Sequence, residues 1–112
     1  AKAFVNQIDA VAQAQFALDS FATDSQVDSG LSAGSVIETA IGNLAYSGGW
    51  TNTEAALYDC ASELAGADPS HDKYIFIITD GNPTKSRSAG PNSSCSSCKQ
   101  HARSRAESIK NS

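Results

Sequence analysis

Residues 74–81 have the sequence Tyr-Ile-Phe-Ile-Ile-Thr-Asp-Gly. The first six form a continuous apolar run of β-branched and aromatic side chains, which predicts a parallel strand covered on both faces. The run stops at Asp80 and Gly81, a pair typical of a turn. In an open α/β sheet, ligands bind beyond the carboxyl ends of such strands. This stretch therefore predicts the centre of the fold and the place of a site.

Helices and a hairpin are predicted around this strand. Apolar spacing predicts four helices, over residues 2–13, 35–44, 53–65 and 96–110. Two short segments joined by a turn, residues 15–22 and 26–31, predict an antiparallel edge hairpin. We therefore expect a single α/β domain over residues 1–112, with a Rossmann-like, doubly wound, mostly parallel sheet flanked by helices.

Two predicted helix starts have the capping-box pattern, in which a hydroxyl and a carboxylate satisfy free N–H groups of the first turn. Ser35 and Glu38 have this spacing, and so do Thr51 and Glu54. Thr51 also precedes a helix next to a glycine-rich loop, where a ligand is expected. Capping and ligand binding are thus alternative roles for its hydroxyl.

The charge of the chain is unevenly distributed. Residues 1–80 carry two basic and eleven acidic side chains, whereas residues 81–112 carry six basic and one acidic. The net charge of −4 argues against nonspecific nucleic-acid binding, and no aromatic side chain is interleaved with the basic ones to stack on bases. No apolar run approaches the roughly 18 residues of a membrane span. We expect neither a nucleic-acid partner nor a membrane span in this segment.

The cysteines indicate an oxidising compartment. Cys95 and Cys98 belong to a Ser-rich segment, and Cys60 falls on the inner face of a predicted helix. A structural disulfide is predicted, either between Cys95 and Cys98 or between one of them and Cys60. A zinc site would need more ligands than the single His101 that follows. Asn92 begins an Asn-Ser-Ser glycosylation sequon, which also favours an extracellular or secreted protein.

Two segments together resemble the von Willebrand factor type A domain. One is residues 47–57, Ser-Gly-Gly-Trp-Thr-Asn-Thr-Glu-Ala-Ala-Leu, and the other is residues 74–81. Residues 21–25 look like the hairpin of that family, and residues 3–8 look like its first helix. The resemblance runs along nearly the whole chain, and it implies the central portion of such a domain.

The resemblance implies a metal-ion-dependent adhesion site. In the family this site uses a D-x-S-x-S loop, a Thr and an Asp; by position, Thr51 matches the Thr and Asp80 matches the Asp. The implied ion is Mg²⁺, or Mn²⁺ or Ca²⁺ in its place, because these ions take oxygen ligands. The surrounding or rim residues would be Trp50, Asn52, Thr53 and Gly81.

The sequence departs from the family pattern in two places. The D-x-S-x-S strand is absent, and so is the apolar segment expected after the last helix. We therefore expect that the chain is part of a longer domain or that another polypeptide completes its sheet.

The leading functional hypothesis is a non-enzymatic extracellular adhesion module that docks protein or glycan partners through the cation. The alternative is a structural matrix, fibre or surface-assembly subunit that uses the fold as a packing unit and has a degenerate metal site. Simpler roles exist for two of the residues: Asp80 as the start of a turn and Trp50 as a side chain packed over its loop. No enzyme is expected, because the sequence has no P-loop, nucleophile elbow or clustered carboxylate pair.

Overall fold

The computed structural model describes residues 2–11, 14–45, 48–79, 81–87 and 96–111. Within these ranges the regular elements are, in chain order, α1 (Lys2–Val11), β1 (Phe16–Phe21), β2 (Ser25–Ser32), α2 (Gly34–Gly42), α3 (Thr53–Ala65) and α4 (Cys98–Lys110). The four predicted helices and the predicted hairpin are confirmed.

The hairpin is an antiparallel pair with a local irregularity. Phe16 lies opposite Ser32, and Phe21 lies opposite Ser25 at the turn. The register shifts on both sides of Leu18. Such bulges bend a strand and increase its twist, which lets a short ribbon curve around the helix packed on it.

The predicted doubly wound parallel sheet is wrong. Over the described residues the sheet has two antiparallel strands, and residues 74–79, predicted as a central strand, form neither helix nor strand. No backbone hydrogen bond joins residues 74–79 to another described residue. The physical reason is that an apolar run specifies a preference for burial, whereas a strand also needs a hydrogen-bonded neighbour. The hairpin does not supply that neighbour.

The predicted capping box of Ser35 and Glu38 is also wrong. Helix α2 begins at Gly34, and Ala33 occupies the cap position without a side-chain hydrogen bond. Helix α1 packs here so closely that a β-carbon at Gly34 would lie 2.8 Å from Cγ of Asp9. The contact between helices therefore coincides with a cap at Ala33, two residues before the Ser35 cap that the pattern predicts.

The core is small and centres on the first half of α3. Helix α3 packs against both strands and α4, and α2 packs against both strands and α1. The buried apolar side chains are Val5, Ile37, Ala55, Ala56, Leu57, Cys98 and Ala102. Because residues 53–57 are all buried, the start of α3 is enclosed on every side, unlike an ordinary surface helix. This enclosure fixes the position of the loop that precedes it.

Candidate functional site at the start of helix α3

The loop before α3, residues 48–52, is held by the turn of the hairpin. Asn52 donates its backbone N–H to the carbonyl oxygen of Ala22 (2.8 Å) and its Nδ2 to the carbonyl oxygen of Thr23 (3.0 Å). The backbone N–H of Trp50 donates to Thr23 Oγ1 (3.2 Å). These bonds connect parts of the chain that are far apart in sequence, so the loop has a defined position.

Gly49 makes this close approach possible. Its φ is 127°, in the region that favours glycine. A β-carbon at this position would lie 2.7 Å from Thr23 Oγ1, closer than side-chain atoms normally approach. The glycine therefore serves both the backbone conformation and the contact with the hairpin.

Thr51 is clamped by a second loop, residues 81–87. Its carbonyl oxygen accepts from the backbone N–H groups of Thr84 (2.9 Å) and Lys85 (3.1 Å), and its own N–H donates to Thr84 Oγ1 (2.9 Å). On the α4 side, Ser86 Oγ and His101 Nδ1 lie 2.7 Å apart. His101 of α4 therefore helps to hold this loop.

The structure brings Thr51 and Gly81 together. A β-carbon at Gly81 would lie 2.9 Å from Thr51 Oγ1, so the backbone after the apolar run passes directly against the predicted ligand hydroxyl. Asp80, the other predicted ligand, precedes Gly81 in the sequence and lies outside the described residues. The structure thus shows Gly81, the residue after Asp80 in the sequence, against the Thr51 hydroxyl.

Helix α3 is capped by Asn52 rather than by the Thr51 and Glu54 pair. Asn52 Oδ1 accepts from the backbone N–H of Ala55 (3.0 Å), and the side chain is buried. This arrangement leaves the Thr51 hydroxyl outside the cap. Thr53, predicted near the rim, is buried instead, and its Oγ1 has no hydrogen-bond partner among the described residues.

Trp50 is half exposed in the loop before α3, next to Thr51 in the sequence. The exposed fraction of its side chain is 49%, and Lys85 Nζ lies 4.9 Å from the ring centroid. Lys85 itself is buried, so its ammonium is held against the indole face, where a cation is favoured. Trp50 is therefore half exposed, with one face of its ring covered by Lys85.

Glu54 has a role that the sequence did not predict. It is buried, and its Oε1 lies 3.4 Å from Arg105 Nη2 on α4. The guanidinium carbon of Arg105 also lies 5.4 Å from the centroid of the Tyr58 ring. The guanidinium carbon of Arg87 lies 3.7 Å from the same centroid. The uneven charge of the chain was the available signal, because it places basic residues in the C-terminal part and acidic ones before it.

An acidic region that the sequence did not predict lies between the hairpin and α3, and it consists of Asp19, Asp28, Asp59 and Glu63. Burial raises the pKa of Asp19, a hydrogen bond from the Cys60 thiol lowers it, and the nearby charges of Asp59, Glu63 and Asp28 raise it further. Ser25 hydroxyl donates to Asp59 within the same region. Burial likewise raises the pKa of Cys60 to about 12, with Asp19 adding to the effect. A thiol held protonated in this way is a poor nucleophile.

Thr51 contributes one hydroxyl oxygen, a donor of the kind that hard cations take. Among the described residues, no group of three or more His, Cys, Asp or Glu side chains is arranged to hold a metal. Of the predicted ligand set, this sequence supplies Thr51 and Asp80 but not the D-x-S-x-S loop, and Asp80 lies outside the described residues. Mg²⁺ accepts this kind of sparse site, since it retains several waters.

The structure separates the cysteines into two kinds. Cys98 is fully buried and disulfide-bonded, whereas Cys60 carries a free thiol. A pairing of Cys60 with either other cysteine is therefore wrong. The candidates Cys95 and Asn92 lie outside the described residues.

Comparisons of this chain with protein-family profiles, curated proteins and solved structures found no match. In the ranges that the structure describes, no helix has the length and apolar character needed to cross a membrane.

Proposed function

We propose that this chain is a non-enzymatic extracellular module that docks protein or glycan partners through a divalent cation at the start of α3. The family it would belong to is the one that its motifs resemble, the von Willebrand factor type A domains. The observation that supports the proposal most directly is the packing of Gly81 against Thr51 Oγ1. That contact places the residue after Asp80 at the predicted hydroxyl ligand.

The chemistry of docking follows from the sparse donor set. Thr51 and Asp80 would hold the ion, and water would fill its other positions. A carboxylate of the partner can replace one of these waters, so that the ion joins the two molecules. Trp50 precedes Thr51 in the sequence and is half exposed, so it would offer an aromatic surface to the partner beside the ion.

The rigidity of the two loops supports a binding role. Residues 48–52 are bonded to the hairpin turn, and residues 81–87 are bonded to Thr51 and to α4. A site whose ligands are already positioned loses less conformational entropy when it binds. The disulfide at Cys98 is consistent with the proposed extracellular location, where such bonds persist.

Binding of Mn²⁺ to the purified chain, followed by electron paramagnetic resonance, tests the site directly. Thr51→Val and Asp80→Asn should each weaken Mn²⁺ affinity about tenfold or more, because each removes an oxygen donor. The matched controls are Thr39→Val and Asp72→Asn, which change exposed residues of the same types and should leave affinity unchanged.

Two results would contradict this proposal. One is Mn²⁺ affinity that does not change in Thr51→Val and Asp80→Asn. The other is affinity lost in Asp19→Asn instead, which would place the ion in the acidic region between the hairpin and α3. For docking itself, retention of the chain on immobilised acidic peptides or glycans should require Mg²⁺ and be abolished by a chelator.

A second candidate function, a structural assembly subunit, is favoured by a different observation. Tyr74, Phe76, Ile77 and Ile78 form an apolar stretch with exposed side chains. Self-association without any Mn²⁺ binding would favour this candidate over cation-dependent docking.

A further inference from the structure

Lys85 is a buried lysine, with an exposed fraction of 5%, and lysine side chains are seldom buried without a partner. In the part of the chain that the structure describes, the ion pairs join other residues, and no carboxylate pairs with Lys85. Its Nζ lies 4.9 Å from the centroid of the Trp50 ring. Among the described residues, the indole is therefore the group that compensates this charge.

The Lys85 side chain begins at a fixed point beside Thr51. The backbone N–H of Lys85 donates to the carbonyl oxygen of Thr51 (3.1 Å), and that of Thr84 donates to the same oxygen (2.9 Å). The side chain then reaches the ring of Trp50, the residue before Thr51. Lys85 thus contacts the loop of the proposed hydroxyl ligand twice, through its backbone and through its ammonium.

Trp50 has a fixed backbone, but that alone does not fix its ring. The Trp50 N–H donates to Thr23 Oγ1 (3.2 Å), whereas the side chain is 49% exposed. Exposed side chains change rotamer within nanoseconds. A cation within about 6 Å of an indole face is attracted to it, and more strongly when the cation is desolvated. The buried ammonium of Lys85 therefore restrains the ring at one face and leaves the rest of it exposed.

We propose that Lys85 is a positioning residue of the docking surface: its ammonium fixes the Trp50 indole beside Thr51, so that ring and ion meet the partner in one arrangement. This inference rests on the proposed function. A surface that is ordered before binding loses less conformational entropy when the partner arrives. Lys85 acts through Trp50, because an ammonium group has no acceptor with which to bind the ion.

Fluorescence tests the contact directly, since Trp50 is the only tryptophan of the chain. Lys85→Gln should raise the constant for acrylamide quenching up to about twofold, because the covered face becomes accessible and about half of the side chain is exposed already. Lys85→Arg should retain the wild-type value, since a guanidinium also binds an indole face. The matched control is Lys99→Gln, which changes an exposed lysine of α4.

Retention on an immobilised poly-glutamate peptide in Mg²⁺ tests the role in docking. Lys85→Gln should weaken binding about three- to tenfold, and Lys85→Arg should restore it. Mn²⁺ affinity should not fall in either variant, because no ligand of the ion is lost. In a Trp50→Leu background, Lys85→Gln should have no further effect on docking, whereas a general loss of structure would weaken docking in both backgrounds.

Three results would overturn the proposal. They are quenching that does not change in Lys85→Gln, docking that does not change although quenching rises, and a further loss of docking in the Trp50→Leu background. A wild-type chain that binds no Mn²⁺ would contradict the proposed function itself. That result differs from a chain that binds Mn²⁺ and whose Lys85→Gln variant behaves as wild type, which contradicts only the role of Lys85.

Discussion

At the scale of single residues, the environment of the Asp19 side chain opposes its negative charge. Burial raises its pKa above the ordinary 3.8, and the carboxylates of Asp59, Glu63 and Asp28 act in the same direction. The Cys60 thiol is a weak donor toward it, and no stronger hydrogen bond reaches its oxygens from the residues that the structure describes. The ionised carboxylate is therefore destabilised in the folded chain.

This environment predicts the sign of a pH effect. A pKa higher in the folded than in the unfolded chain means that the folded chain binds the proton more tightly. The stability that Asp19 contributes is therefore fully present below 3.8 and is lost as the pH rises through its folded pKa. Asp19→Asn should raise the free energy of unfolding at about pH 7 and leave little change at about pH 4.

Urea unfolding of Asp19→Asn and wild-type chain at both pH values measures this difference. The matched control is Asp72→Asn, an exposed acidic residue whose substitution should have little effect at either pH. An Asp19→Asn variant that is less stable than wild type at neutral pH would contradict the argument. It would show that the carboxylate has a favourable partner when ionised.

At the scale of elements, the start of α3 depends on Asn52. Its side chain accepts from the Ala55 N–H and donates to the Thr23 carbonyl, so one residue joins helix, loop and hairpin. Asn52→Ala should lower the free energy of unfolding by about 1–2 kcal/mol, since it removes a cap and a buried hydrogen bond. Asn52→Ser should recover part of this loss, because the hydroxyl can still accept at the cap.

Urea midpoints of the Asn52 variants test the cap. Thr39→Ala is the control, because the Thr39 side chain is exposed and its hydroxyl donates to the Ser35 carbonyl within α2, so its loss should cost little. Equal destabilisation by Thr39→Ala and Asn52→Ala would show that the α3 cap has no special role.

The elements also show what the sequence could predict. Helices and the hairpin follow from periodicity and turn residues, which are local properties, and they are present where predicted. The run at residues 74–79 was misassigned because its pattern encodes apolar character, while strand formation depends on a neighbour from elsewhere. The cap of α3 is Asn52 and not Thr51 of the predicted capping box. Asn52 also donates to the hairpin, and the local sequence pattern does not contain that contact.

At the scale of the whole molecule, the candidate site was only partly predictable. Residue 81 approaches Thr51, while the pairing of Thr51 with Asp80 stays a prediction because Asp80 lies outside the described residues. The uneven charge indicated that acidic and basic parts of the chain could meet, but not that Glu54 would pair with Arg105, because the two residues are 51 positions apart and nothing local connects them. The acidic region around Asp19 was missed for the same reason: its members come from both strands and from α3.

The contact between Glu54 and Arg105 joins the acidic and basic parts of the chain, and it predicts how strongly α4 is held. Glu54 is 2% exposed and Arg105 is 32% exposed, so their interaction is far less screened than that of the surface pair Arg103 and Glu107, at 73% and 63%. Arg105→Ala should lower the free energy of unfolding by about 1–3 kcal/mol, because a buried carboxylate loses a charged partner and Tyr58 loses a covering cation.

The surface pair provides the control on the same helix. Arg103→Ala should cost less than about 0.5 kcal/mol, as expected for an exposed pair separated by one helical turn. Arg105→Lys should fall between the two, because it keeps the charge but loses the planar group that lies over Tyr58. Urea unfolding ranks the three variants. If Arg103→Ala and Arg105→Ala cost the same, α4 would be held by its apolar contacts rather than by the charge that Glu54 buries.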